Sequence, residues 1–298
     1  MKRGVAFLGA KLKASLLALL VWAVVLVVPA YWLIQFSGVM RFFPIRHTNP
    51  LPAFVVRPAD AVSQPPQLFK EALLTVTFDD GWESVYTQAM PLLQKDGIHT
   101  TQYVLSGTES NHQYMSWGQI AVIQQAGHEI ACHSVTHPDL TKLSDKDLQA
   151  QLNGCLHTMT QRFGSITDFA SPYGSENDKT LNAIAKLYQS QRNTNGDASN
   201  GVTDADVNLQ SNFNRYDIIG VTIHRDTTVA QLQSLISYAQ AHNGWVVLTY
   251  HQADEEGSQY TLDQTQLAKQ LDFLSKSNIR IVTMNQALAS LDRKGTNQ

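Results

Sequence analysis

Cysteine is almost missing from this chain: Cys132 and Cys155 are the only two in 298 residues. That excludes a disulfide-stapled scaffold and a cysteine-rich zinc module. An excess of positive charge is missing too. The formal net charge is −3, which argues against nucleic acid as a partner, and no internal repeat or low-complexity tract is evident. Acidic residues are absent from positions 1–50, which hold six of the 22 basic residues. The remaining 16 basic residues face all 25 acidic ones, so the body of the chain is not a polyanion-binding surface. Each cysteine falls in a segment read as buried, Cys132 in a strand and Cys155 in a helix. The favoured reading is two small apolar residues, with a disulfide as the alternative in an exported protein.

Charge is also absent from Ala14 to Phe36, ASLLALLVWAVVLVVPAYWLIQF. At 1.5 Å per residue this stretch reaches roughly 35 Å, enough for a hydrocarbon core of about 30 Å. Basic residues from Lys2 to Lys13 precede it, and Tyr31 and Trp32 suit an interfacial belt. The expected organisation is a short cytoplasmic N-terminus at 1–13 and a transmembrane signal-anchor at 14–36. A Pro-rich linker at 37–70 and a catalytic domain at 71–294 follow. The expected location is the cell membrane, single-pass, with the domain outside the cytoplasm. A signal peptide cleaved near Ala30 is the alternative. Six of the ten prolines lie between Pro44 and Pro66, which suits an extended spacer.

From residue 72 onward apolar runs and helical patterns alternate. Strands are expected at 73–78, 101–105, 129–133, 166–171, 218–223, 246–250 and 279–283. Helices are expected at 84–95, 117–125, 145–163, 177–186, 229–241, 262–277 and 284–291. Such alternation indicates a parallel sheet covered on both faces. The expected fold class is α/β, a distorted, incomplete (β/α) barrel of about seven strands preceded by a transmembrane helix. A doubly wound open sheet is the alternative. The polar stretch 193–217 reads as a long loop.

Four short clusters sit where these strands end, the usual place for catalytic groups in α/β folds. Thr77-Phe78-Asp79-Asp80-Gly81-Trp82 puts two adjacent carboxylates at one such end. Alternation points them in different directions, so one can hold a metal while the other faces substrate. An Asp that merely caps the next helix is the plain alternative. His133-Ser134-Val135-Thr136-His137-Pro138 offers two imidazoles, which with one carboxylate make an open metal site; His128 beside them reads as structural. Ser171-Pro172-Tyr173-Gly174 is a turn, and Leu248-Thr249-Tyr250-His251 delivers a histidine to a strand end.

Taken together and in this order, these clusters resemble the polysaccharide deacetylase family, carbohydrate esterase family four, over roughly residues 72–292. The resemblance implies a distorted (β/α) barrel. It implies Asp79 as catalytic base and Asp80, His133 and His137 as ligands of one divalent metal, zinc in the first instance, with cobalt or nickel compatible. It implies the Tyr173 backbone N–H as an oxyanion donor, His251 as general acid, and Leu248 with Pro172 lining the acetyl pocket. The implied reaction removes N-acetyl groups from N-acetylglucosamine-containing polysaccharide, a cell-wall glycan or exopolysaccharide. An O-acetyl esterase or a catalytically dead glycan-binding member is the alternative. The implied partners are an acetylated polysaccharide and, through the N-terminal segment, a membrane. In many members an Arg precedes the Pro-Tyr-Gly turn and pairs with the catalytic Asp; here Ala170 stands there. Arg192, at the start of the polar loop, is expected to supply the missing donors; a solvated loop Arg is the alternative.

Overall fold

The computed structural model describes residues 69–108, 110–254 and 257–292. Eight parallel strands form one sheet: β1 (Leu73–Asp80), β2 (Thr101–Val104), β3 (Glu129–Cys132), β4 (Asp168–Ala170), β5 (Ser190–Arg192), β6 (Val221–Thr222), β7 (Trp245–Tyr250) and β8 (Arg280–Ile281). The order is β5-β4-β3-β2-β1-β7-β6. β7 pairs β1 along 73–78, so β8 at Leu73–Leu74 and β2 from Thr77 onward share the opposite edge. Isolated bridges Arg192–Ile218 and Gly196–Val221 tie the end of β5 and the residues after it to the segment that leads into β6. The architecture is an incomplete seven-strand parallel barrel, with β8 a short addition below β1.

The helices are α1 (Met90–Asp96), α2 (Trp117–Gln125), α3 (Asp145–Phe163), α4 (Asp178–Ile184), α5 (Val229–His242), α6 (Gln264–Lys276) and α7 (Met284–Asp292). Their starts follow from capping chemistry. Ser116 and Thr228 head capping boxes with Gln119 and Gln231, while the Ser144 side chain accepts from the Asp147 N–H. A π-helical turn at Val85–Ala89 separates β1 from α1.

Two-residue alternation sorts each strand between helices and barrel interior. Leu74, Val76 and Phe78 pack outward with Val246, Leu248 and Tyr250 under α1, α5 and α6. Val104, Cys132 and Phe169 pack outward under α2, α3 and α4. Leu73, Tyr103, Ala131, Ala170, Trp245 and Val247 share the inner cluster. The interior also buries Thr75, Thr77, Thr101, Asp168, Ser190, Arg192 and Thr249 completely. Such burial is tolerable because partners are supplied. Trp245 Nε1 donates to Thr75 Oγ1 at 2.9 Å, Thr77 Oγ1 donates to the Leu248 carbonyl at 3.0 Å, and Ser190 donates to Asp168. At the strands' N-terminal ends α7 presents the Asn285 backbone N–H and Nδ2 to Glu129, both at 2.9 Å. Burial pushes the Glu129 carboxyl well above its usual range.

Three expectations need correction. No helix among the described residues is long and apolar enough to cross a membrane. The expected signal-anchor at 14–36 lies outside the described residues, so the transmembrane helix, the membrane as partner and the single-pass location have no helix to rest on and are set aside. β5 falls at Ser190–Arg192, where Ser-Gln-Arg carries no apolar alternation; its register against β4, Asp168 with Ser190 and Ala170 with Arg192, makes it a strand. Cys132 and Cys155 are joined in a disulfide, Cα atoms 6.1 Å apart, rather than standing as separate thiols. β3 and α3 pack directly together, which brings the two residues into reach.

The bond closes a loop with a sequence separation of 23 residues. By the chain-entropy account a loop of that size stabilises by about 3 kcal/mol. Equilibrium denaturation with reductant should therefore show a lower midpoint than without it. Two titratable thiols in protein unfolded without reductant would show that the bond does not form.

Candidate active site

Every cluster singled out by sequence lies at the C-terminal ends of β1, β3, β4 and β7, because a parallel sheet delivers all strand ends to one face. Six non-glycine described residues have positive φ, and four are here: Asp80 (72°), Ser134 (70°), His137 (61°) and Tyr173 (60°). The other two are Asn243 and Asn278, a residue type that tolerates this conformation. Unfavourable backbone concentrated in one place marks a functional site.

The turn after β3 is clamped from several sides. Ser134 Oγ accepts from the His137 backbone N–H at 3.0 Å. Gln151 on α3 accepts from the Val135 and Thr136 N–H groups at 2.9 and 3.1 Å, and returns a bond to Thr136 Oγ1 at 3.0 Å. The turn after β4 needs its glycine: Gly174 has φ 65°, and an added Cβ would lie 2.7 Å from the Thr194 backbone nitrogen.

Asp80, His133 and His137 offer ligand atoms that all lie within 4.8 Å of one another. His133 Nδ1 stands 2.8 Å from the Ala170 carbonyl. A carbonyl only accepts, so Nδ1 carries the proton and Nε2 keeps its lone pair. That Nε2 lies 3.5 Å from Asp80 Oδ1, and His137 Nε2 lies 3.4 Å from the same oxygen. Burial pushes the His133 pKa down to about 4, against the pull of Asp79 and Asp80. The ring is therefore neutral at neutral pH, and a lone pair faces a carboxylate oxygen. Two acceptors held face to face leave a position that a cation can fill. Donors roughly 2.0–2.2 Å from a tetrahedral zinc ion stand roughly 3.3–3.6 Å apart. The donor set thus fits a divalent metal in both chemistry and span. Asp80 is held by Trp82, whose Nε1 donates to Oδ2 at 2.9 Å while the indole stacks on Tyr114 at 4.5 Å.

Asp79 points the other way, into the interior. It is 2% exposed, yet its carboxyl stays below the ordinary value: burial pushes it up, and the charges of Arg192, His133 and His251 outweigh that. Arg192 Nη2 donates to Oδ1 and Oδ2 at 2.6 and 2.5 Å. The guanidinium is fully buried, lies 5.0 Å from the Tyr103 ring centroid, and donates from Nη1 to the Asn193 carbonyl at 3.1 Å. Arg192 thus reaches Asp79 from β5, the strand next to Ala170, and the solvated-loop alternative does not hold.

His251 follows β7 on its inward side. Its Nδ1 is buried without a hydrogen-bond partner, and its ring packs 5.2 Å from Tyr260. Burial lowers its pKa; Asp79 and Asp80 oppose this and Arg192 and His137 add to it. Tyr173 rests its ring edge-on to His137 at 4.4 Å, following buried Pro172. Leu248 is a correction: it packs outward with Leu74, Val76 and Phe78, on the face of β7 opposite Val247 and His251, and does not line the cleft. Sequence reasoning overlooked Trp82, Tyr103 and Gln151. Trp82 carried a local signal, two residues beyond the metal-facing carboxylate; the others did not.

The fold and site define a parallel α/β barrel with a carboxylate–bis-imidazole metal cluster beside a buried second carboxylate. The family model described as polysaccharide deacetylase matches residues 68–190. A putative polysaccharide deacetylase of Bacillus subtilis, YxkH, is 28% identical over 121 residues, 40% of this chain and 43% of that protein. A bifunctional xylanase/deacetylase of Pseudobutyrivibrio xylanivorans is 32% identical over 109 residues, 36% of this chain and 18% of that protein. The matched stretch thus spans less than half the length of these curated relatives. Among solved structures, the Xyl-CE4 domain of a multidomain xylanase from the hindgut metagenome of Trinervitermes trinervoides superposes with a TM-score of 0.51 at 18% identity, covering 76% of this chain and 93% of that one. Peptidoglycan deacetylase PdaC from Bacillus subtilis gives 0.52 at 18%, covering 78% and 96%. At these identities the structures speak to fold alone. Over residues 68–190 the chain matches the polysaccharide deacetylase family.

Partners behind metal ligands set affinity as well as orientation. Trp82→Phe keeps the stack on Tyr114 and deletes the bond to Asp80. Zinc affinity measured by competition with a chromophoric chelator should fall about tenfold or more. Unchanged affinity would show that Asp80 needs no such support.

Proposed function

We propose that this protein is a metal-dependent hydrolase that removes acetyl groups from an acetylated polysaccharide. The observation that carries the reading is the pair of unlike carboxylates at one strand end. Asp80 faces two imidazoles at 3.4–3.5 Å, and Asp79 is buried on Arg192. A divalent ion held by Asp80, His133 and His137 would supply Lewis-acid polarisation of the acetyl carbonyl and an acidified water. Asp79 takes a proton from the water as its oxygen bonds to the acetyl carbon. In this reading the Tyr173 backbone N–H donates to the developing oxyanion, a type of contact worth about 3–4 kcal/mol. His251 gives its proton to the departing nitrogen or oxygen as the bond to the acetyl carbon breaks. Acetate and a free amine or hydroxyl result, and Arg192 keeps Asp79 ionised and aimed.

The acetyl linkage has two readings. The amide of an N-acetylated sugar polymer is supported by the likeness to the peptidoglycan N-acetylmuramic acid deacetylase PdaC of Bacillus subtilis. An ester on a glycan such as xylan is favoured by the likeness to the bifunctional xylanase/deacetylase and by His251. Its pKa is lowered and its Nδ1 has no partner, so it is a poorly supplied acid at neutral pH. Amide cleavage depends on protonating the leaving nitrogen, while an ester's alkoxide tolerates weaker assistance. Acetate release from N-acetylglucosamine oligomers, peptidoglycan and acetylxylan, assayed side by side with defined zinc, decides between them. Release from none of them would refute the enzyme reading.

Metal removal separates the two carboxylates. EDTA should abolish acetate release and added zinc or cobalt should restore it. Asp80→Asn should lower zinc content first. Asp79→Asn should retain zinc and lose nearly all turnover, because an amide cannot accept the proton. Equal zinc loss in both variants would contradict the division of labour.

Arg192→Ala removes the partner of a buried charge. Breaking such a pair costs about 3–5 kcal/mol of stability. Turnover should fall at least about tenfold, on the order of 1.4 kcal/mol in the barrier, with zinc content retained. Kinetics like those of the wild type would remove Arg192 from the account.

A further inference from the structure

Large apolar side chains left in water are few in this domain. Among the described residues they are Val122, Tyr173 and Tyr260. Val122 is on the outside of α2. The two tyrosines both sit on histidines of the candidate site, Tyr173 on His137 and Tyr260 on His251. Tyr260 lies on the segment that follows His251 and belongs to none of the clusters used above.

The segment carrying Tyr260 is braced. The Arg225 backbone N–H donates to the Gln259 carbonyl at 2.8 Å, and Arg225 Nε donates to the Thr261 carbonyl at 3.3 Å. Thr261 Oγ1 donates to Gln252 Oε1 at 3.0 Å, and the Leu262 N–H donates to the Gln252 carbonyl at 3.1 Å. The Tyr260 N–H itself bonds Ser258 Oγ at 3.2 Å. The ring lies 5.2 Å from His251 and 5.2 Å from His224, and 37% of the residue stays exposed. A braced aromatic ring with a free surface beside a reactive histidine is a contact surface whose ordering cost has already been met in folding. A pyranose offers a matching partner: one face of the ring is C–H groups, and its hydroxyls project around the rim.

We propose that Tyr260, backed by His224, is a sugar-binding wall that packs against a pyranose of the substrate on the His251 side of the cleft. The proposal rests on the glycan reading above and adds a specificity-determining residue to it. Tyr260 exerts its effect through contact with sugar, so it controls glycan affinity and leaves metal capture to the other cluster.

Binding separates this from catalysis. The full chain, stripped of metal so that no turnover occurs, is titrated calorimetrically with an N-acetylglucosamine pentamer and, separately, with an acetylated xylopentaose. Tyr260→Ala should weaken whichever oligomer the parent protein binds by about tenfold, the loss typical of an aromatic anchor. Tyr260→Phe keeps the ring and should stay within about threefold. Zinc affinity, titrated in parallel, should not fall in step with glycan affinity. The proposal is overturned if Tyr260→Ala binds the oligomer like the parent, if Tyr260→Phe loses as much as Tyr260→Ala, or if zinc and glycan affinity drop together. Acetate release by the metal-loaded wild type is read independently, so a failure of the hydrolase reading is told apart from a failure of the wall.

Discussion

The buried ion pair between Asp79 and Arg192 is the constraint around which the barrel interior is arranged. A carboxylate 2% exposed stays ionised only beside a fixed cation. Arg192 supplies it from β5, on the far side of three intervening strands, with Nη2 at 2.5–2.6 Å. Reaching across an interior is possible only if the space between is kept small. Ala131 and Ala170 are small members of the inner cluster, and the Tyr103 ring lies 5.0 Å from the guanidinium. Ala170 is therefore more than the absence of an arginine. Its small side chain leaves room in the interior, and its carbonyl fixes the tautomer of His133. One position thus serves both the buried pair and the metal cluster.

Two electrostatic regimes stand side by side as a result. On the interior side Asp79 and Arg192 form a buried pair. On the cleft side, Asp80 and two imidazoles present acceptors to one another, an arrangement that a cation relieves. Positive φ at Asp80 divides the two: it turns the second carboxylate out of the sheet instead of letting strand alternation send it among the helices. The conformational cost there is offset by the Trp82 bond to Asp80 and by the Met115 backbone N–H, which donates to the Gly81 carbonyl at 2.8 Å.

Much of this could be read from sequence, for identifiable reasons. Long apolar strands such as 245–250 and capped helices such as 145–163 declare themselves by period and cap. The strand-end clusters declare themselves because a parallel sheet makes one face of all its ends. What failed to show was whatever depends on three-dimensional partners. β5 is polar and three residues long, and exists through its register with β4. Cys132 and Cys155 meet because α3 packs on β3, which residue type cannot reveal. The family resemblance placed Leu248 in the pocket, but two-residue alternation sends it outward. Arg192 could be named because it opens a polar stretch. Its complete burial could not.

The central claim is that Asp80, His133 and His137 hold one divalent ion while Asp79 stands apart on Arg192. Anomalous diffraction from crystals grown with zinc tests it most directly. The account predicts a single strong peak about 2.0–2.2 Å from Asp80 Oδ1 and both Nε2 atoms, with Asp79 still bonded to Arg192. A peak liganded by Asp79, or no peak between the two imidazoles at saturating zinc, would contradict it.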